Sequence, residues 1–284
     1  MRLHFCGTRG STPVSGLTQG RYGGRTSALA LAHEGEPPTL VLDAGTGLTQ
    51  VSALLDDGPY RGTLLLGHLH WDHTHGMPFF AAGLQPGHRV EVVIPEQGTD
   101  AEEVLARAFS PPHFPVRPSE LGTGWTFRGL EPGTHQLEGF TVQALEIPHK
   151  GGRTFGFRVS DGASSLAYLS DHSPLGCGPG EDGLGELHAA ARELAAGVDL
   201  LIHDAQHTPE ELPDLAFLGH SATDYPVNLA LAAGARAVML YHHAPTRTDD
   251  EIDAMTTRFV DAGVPVFAAF DGLVVDLPGL TLTR

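Results

Sequence analysis

Cysteine is almost absent from this 284-residue chain: Cys6 and Cys177 are the only two, too few for a disulfide scaffold and in no paired zinc-binding spacing. A reducing cytoplasm is therefore the expected compartment. Long hydrophobic runs are missing as well. No uninterrupted apolar segment could span a membrane, and Met1 leads straight into alternating Leu3, Phe5 and Gly7 rather than a basic start and an apolar signal core. Secretion and membrane attachment are not expected. Basic residues are also scarce: 17 Lys and Arg stand against 34 Asp and Glu, a formal net charge of −17. Proteins that coat duplex nucleic acid draw much of their affinity from Lys and Arg that displace counterions. The balance disfavours RNA or DNA as a long partner and favours a small anionic substrate, unless a local basic patch exists. With 41% hydrophobic and 18% charged residues, the chain belongs with globular proteins that bury a sizeable core.

Against that background one stretch stands out, Gly67-His68-Leu69-His70-Trp71-Asp72-His73, which follows the apolar run Thr63 to Leu66. Three imidazoles and a carboxylate fall where a buried strand gives way to a loop, which burdens folding and suits a metal. Neutral histidine with one carboxylate fits zinc, manganese or iron far better than calcium or magnesium.

Strands are expected at 2–6, 28–32, 39–42, 63–66 and 89–94, then at 126–128, 140–147, 154–159 and 165–169 as an antiparallel meander. Helical spacing predicts helices at 48–55 and 100–108, the latter capped by Thr99. Strand and helix then alternate, with helices at 183–196, 222–233 and 249–262 and strands at 199–203, 237–241, 264–268 and 273–276. Four prolines between 110 and 124 mark an irregular loop, either a lid or a plain covering segment. No linker divides the chain, which reads as one α/β domain over residues 1–284.

Histidines and aspartates recur at the ends of these strands: His149, Asp171 with His172, His203-Asp204, and His242-His243, with His220 ahead of a helix. Taken with His75-Gly76-Met77-Pro78-Phe79, the opening stretch resembles the signature of the metallo-β-lactamase fold superfamily, and His149, Asp171 and His242 resemble its later metal motifs. Together with Asp43-Ala44-Gly45, Leu169-Ser170-Asp171, His203-Asp204-Ala205 and Gly219-His220-Ser221, the pattern is similar to the branch holding cyclic phosphodiesterases and tRNA 3′-processing endonucleases.

That resemblance implies a four-layer αββα sandwich with two mixed sheets and two divalent transition-metal ions, zinc in first place and manganese as the other candidate. It implies that His68, His70 and His149 hold one ion, that Asp72, His73 and His242 hold the other, and that Asp171 bridges them. Two such ions activate a bridging hydroxide and polarise a phosphoryl oxygen. Asp204 and His220 match the branch's acid–histidine pair, which makes His220 a general acid, so Asp72, Asp204 and His220 are the candidate catalytic residues. Arg25, Arg153 and His243 are candidates for contact with substrate. The expected activity is hydrolysis of a small or cyclic phosphodiester, with tRNA 3′-end processing as the alternative. A di-iron redox role and thioester or lactam hydrolysis rank below both, and a homodimer that completes the pocket is left open.

Overall fold

Apolar residues run almost without interruption through the central strands, and the structure uses both of their faces. The computed structural model describes residues 1–56 and 58–284. The first half of the chain supplies β1 (Arg2–Gly7), β2 (Ala28–Ala32), β3 (Leu40–Leu42), β4 (Arg61–Leu65), β5 (Arg89–Pro95) and β6 (Trp125–Leu130). The second supplies β7 (Gly133–Leu137), β8 (Phe140–Glu146), β9 (Phe155–Ser160), β10 (Ser165–Leu169), β11 (Leu200–Asp204), β12 (Val238–Tyr241) and β13 (Val266–Ala268). Two last strands, β14 (Val274–Asp276) and β15 (Thr281–Thr283), return to the first sheet. The order is β15-β14-β1-β2-β3-β4-β5-β6 in one sheet and β13-β12-β11-β10-β9-β8-β7 in the other. Both sheets are mixed: β3 to β6 and β10 to β13 pair in parallel, while the remaining neighbours are antiparallel.

Side chains alternate between cores, as the pleat requires. In β2, Leu29 and Leu31 enter a core shared by the two sheets, whereas Ala28 and Ala30 face the helical side of the first sheet. In β11, Leu200 and Ile202 enter the shared core and Leu201 the helical side of the second. Three apolar layers between four layers of structure are the expected sandwich, and strands buried on both faces have to read as continuous apolar runs. Helices α1 (Leu48–Val51) and α2 (Ala101–Ala106) lie against the first sheet. On the second sheet, α3 (Ala189–Ala195) packs over β8 to β10, and α5 (Asp224–Ala233) over β11 and β12, with α4 (Leu212–Leu215) between them in sequence. Finally α6 (Asp249–Thr257) covers β13.

Several boundaries differ from expectation. Asp100, not Thr99, caps α2, because its carboxylate accepts from the Glu103 amide at 3.1 Å. Helix α3 begins at Ala189 rather than 183, since Gly183 and Gly185 take φ of 77° and 115°, outside the helical region. Helix α6 stops at Thr257, and β7, β15 and α4 are elements the periodicity did not reveal.

The parallel pairing fixes where chemistry can occur. Strands β3 and β4 run alongside each other and deliver Asp43 and Gly67-His68 at one edge. Strands β10, β11 and β12 do the same with Asp171, Asp204 and His242. Because β8 is antiparallel to β9 and β9 to β10, β8 points the same way as β10 and brings His149 to that edge. Carboxyl ends of parallel strands are where open α/β sheets place their ligands.

Candidate metal centre and active site

Two donor clusters meet across Asp171. His68 Nε2 and His149 Nε2 lie 3.5 and 3.4 Å from Asp171 Oδ2, and His70 Nδ1 lies 3.4 Å from His149 Nε2. On the other side, His73 Nε2 and His242 Nε2 lie 3.1 and 3.2 Å from Asp171 Oδ1. Asp72 Oδ2 completes this second group, 3.3 Å from His73 Nε2 and 3.1 Å from His242 Nε2. Each oxygen of one carboxylate thus faces a different trio.

Neighbouring groups orient these side chains. His73 Nδ1 donates to Asp43 Oδ2 at 2.7 Å, and Asp43 is held in turn by the Tyr168 hydroxyl at 2.7 Å and the Gly67 amide at 2.8 Å. Asp43 and His242 both have left-handed backbone, φ 61° and 59°, a costly conformation for such residues that the surrounding structure must enforce. His242 Nδ1 meets the Gln206 side-chain Nε2 at 3.2 Å, and the Ser11 backbone amide donates to Asp72 Oδ2 at 2.6 Å. In the first trio, His149 Nδ1 donates to the Gly219 carbonyl at 2.7 Å, which leaves its Nε2 lone pair facing inward.

The donors fit divalent cations. His68 Nε2 is buried and makes no hydrogen bond, which is unfavourable unless something else binds it. Nε2 of His73 and His242 approach to 3.2 Å with two carboxylates alongside, a convergence that a cation would satisfy. Burial lowers His68 well below the ordinary histidine value, with His73 adding to the effect, so it is a neutral donor. Burial raises Asp171, but His242, His73 and His68 outweigh it and hold the carboxyl well below its usual range. Burial likewise acts to lower His73, yet Asp72, Asp171 and Asp43 raise it well above its ordinary value. The same carboxylates that favour positive charge on His73 would favour a bound cation beside it.

Beside the clusters, His220 Nδ1 lies 2.8 Å from Asp204 Oδ2, and the buried Asp204 also accepts from the Gln206 amide at 3.0 Å. Burial works to lower His220, but Asp204 and then Asp171 and Asp72 raise it to about 9, so it is charged at neutral pH. His220 and Asp171 also form a potential donor group with His242. A pocket of 390 Å³ opens over these groups, lined by Ser11, Leu69, His70, Trp71, Asp72, Asp171 and His220.

A family model described as the beta-lactamase superfamily domain matches residues 39–243, which contain all of the donors above. The chain belongs to the beta-lactamase superfamily. A ribonuclease Z of Natronomonas pharaonis is 23% identical over 98% of this chain and 98% of its own length. A metallo-beta-lactamase fold protein, YhfI of Bacillus subtilis, superposes with a TM-score of 0.71 at 18% identity, covering 96% of this chain and 98% of that one. A diphosphatase from the PhnP family superposes with a TM-score of 0.70 at 20% identity, covering 99% of each chain.

Within this superfamily member, all seven residues expected as metal donors converge at the one sheet edge, with Asp204 and His220 next to them. The three expected substrate contacts do not gather there. His243 is 1% exposed, bonds the Ala269 carbonyl through Nε2 at 2.9 Å and packs edge-on against Tyr22, so its ring is turned away from the pocket. Arg25 lies 3.5 Å from Asp271, outside the pocket lining. Arg153 does border a smaller cavity beside His68 and His70, but its guanidinium is engaged by Glu131, Glu146 and the Glu96 carbonyl. Asp43, Tyr168, Gln206 and the Ser11 amide support the donors without being among the expected site residues; Ser11 closes the glycine-containing turn Gly7 to Ser11, a segment whose sequence suits backbone N–H groups facing an anion. Asp43 carries a signal in the sequence, a carboxylate directly after an apolar strand; Tyr168 and Gln206 carry none.

Proposed function

We propose that the chain is a two-metal phosphodiesterase whose preferred substrate is a small or cyclic phosphodiester. Its seven donors would hold two divalent transition-metal ions, zinc first and manganese second: His68, His70 and His149 on one side, Asp72, His73 and His242 on the other, and Asp171 between. When bound, such ions supply an activated water and an electrostatic clamp on phosphoryl oxygens. The observation that carries the reading is Asp171, whose Oδ2 faces one trio and Oδ1 the other.

The protein's own part is orientation and proton delivery. Asp204 occupies His220 Nδ1 and favours the imidazolium, which leaves Nε2 to protonate the departing alkoxide. That service matters for alkoxide leaving groups and little for a thiolate, so the pair favours diesters over thioesters. In this reading residues 1–284 act as one domain, supported by β1 and β14 pairing across the first sheet. The free thiols of Cys6 and Cys177 suit a reducing compartment such as the cytoplasm. Among the described residues, no helix is long and apolar enough to cross a membrane.

Processing of tRNA 3′ ends is the second reading, favoured by the near full-length ribonuclease Z relative. The net charge of −17 weighs against a long RNA. A panel of bis-p-nitrophenyl phosphate, cyclic mononucleotides, cyclic ribose phosphates and a precursor tRNA separates the two. Turnover of the small diesters is expected; cleavage of the tRNA alone would replace the first reading with the second.

A further inference from the structure

Trp71 stands apart from its neighbours. It shares the short turn Trp71–His73 with Asp72 and His73, which are buried, yet it is 65% exposed. An indole left in water forgoes the stabilisation that burial would give so large a ring. Its orientation is nevertheless set, because the His75 imidazole stacks against it at 5.3 Å between centroids and 22° between planes. The indole lines the same 390 Å³ pocket as Asp72, Asp171 and His220. That pocket combines carboxylates and imidazoles in its lining with the apolar Leu69 and Trp71. Its volume falls in the range of small-ligand sites, enough for a ligand of mononucleotide size.

We propose that Trp71, backed by His75, stacks a nucleobase, so that the diester taken by this site is a nucleotide with a base beside the scissile phosphate. The inference rests on the phosphodiesterase reading and narrows its substrate class. Every nucleobase offers a π-face to an aromatic side chain, so one exposed indole accepts any of them. A ribose phosphate without a base would use only the polar groups of the lining.

Two ligands test the idea in the zinc-loaded, full-length protein: adenosine 5′-monophosphate and ribose 5-phosphate. The chain has 2 tryptophans, and Trp125 is 6% exposed, so quenching by a stacked base reports on Trp71. Adenosine 5′-monophosphate should quench the emission and ribose 5-phosphate should not. By calorimetry, Trp71→Ala should weaken the nucleotide about 5- to 150-fold and leave ribose 5-phosphate within about 2-fold, with Trp71→Phe in between. Equal affinity for the two ligands, absence of quenching, an equal loss for both in Trp71→Ala, or a change of oligomeric state in that variant would each overturn the proposal. The two layers fail separately. Base-selective binding without hydrolysis of any diester would leave the stacking site and remove the phosphodiesterase, whereas hydrolysis indifferent to the base would do the reverse.

Discussion

His73 and His149 both turn Nε2 toward Asp171, but one leans on a buried carboxylate and the other on a backbone carbonyl. The second cluster has charge behind it: Asp43 on His73, fixed by Tyr168 and the Gly67 amide, with donors buried throughout. The first cluster is more open at His70, which is partly buried, and the partner behind its buried His149 imidazole is neutral, the Gly219 carbonyl. An anionic partner makes an imidazole a stronger donor and locks its ring. The contrast teaches that two similar sets of ligands on one fold need not be equivalent, and that the second cluster should hold its ion more tightly than the first.

Asp171 is common to both clusters, so Asp171→Ala should abolish the contrast along with the activity. Turnover of bis-p-nitrophenyl phosphate should fall by more than the roughly 10²- to 10³-fold cost of losing one charge-stabilising donor. Metal analysis of the variant should find both ions diminished; two retained ions would refute its bridging position.

His220 lies at the seam, stacked on His242 at 5.1 Å and bonded to Asp204. His220→Ala should slow alkyl leaving groups on the order of 10²-fold and p-nitrophenolate much less, while both ions stay bound. Its folded value is raised, so the proton it donates is present below about 9 and lost as pH rises through that value. Turnover of poor leaving groups should therefore decline above about pH 9, and Asp204→Asn should move the decline toward neutrality. A decline unmoved in that variant would assign the limb to another group.

Some of this was legible in the sequence for a physical reason. Strands such as β4 and β12, buried on both faces, announce themselves as apolar runs, and histidines or aspartates recurring at the ends of several such runs point to a shared site. Edge strands β7 and β15 carry weaker patterns because one or both faces meet solvent, and both were missed. Direction was the other blind spot. His242 and His243 differ in sequence only in that His242 directly follows the apolar strand, and the left-handed backbone at 242 sends one ring to the cluster and the other to Ala269. Arg25 likewise follows a promising double glycine, and its guanidinium lies against Asp271, a placement that no local pattern reveals.

Asp43→Asn tests the contrast between the clusters most directly. The variant keeps the shape of the brace and removes its charge, so affinity for one zinc ion should fall about 10- to 100-fold while the other is unaffected. Calorimetric titration of the metal-depleted chain should show the tighter of two binding steps merging with the weaker; weakening of the weaker step instead would invert the assignment.

The smallest effect is expected at Arg25. Its partner Asp271 accepts from the amides of Gly24 and Arg25 at 3.1 Å each and would keep those bonds without the guanidinium. Arg25→Ala should therefore change stability by no more than about 0.5 kcal/mol. Because the side chain lies outside the pocket lining, KM for small diesters should stay within about 2-fold of wild type. A tenfold rise in KM with kcat unchanged would instead show that Arg25 leaves Asp271 to meet substrate, and would add a mobile cation to a site otherwise built from fixed groups.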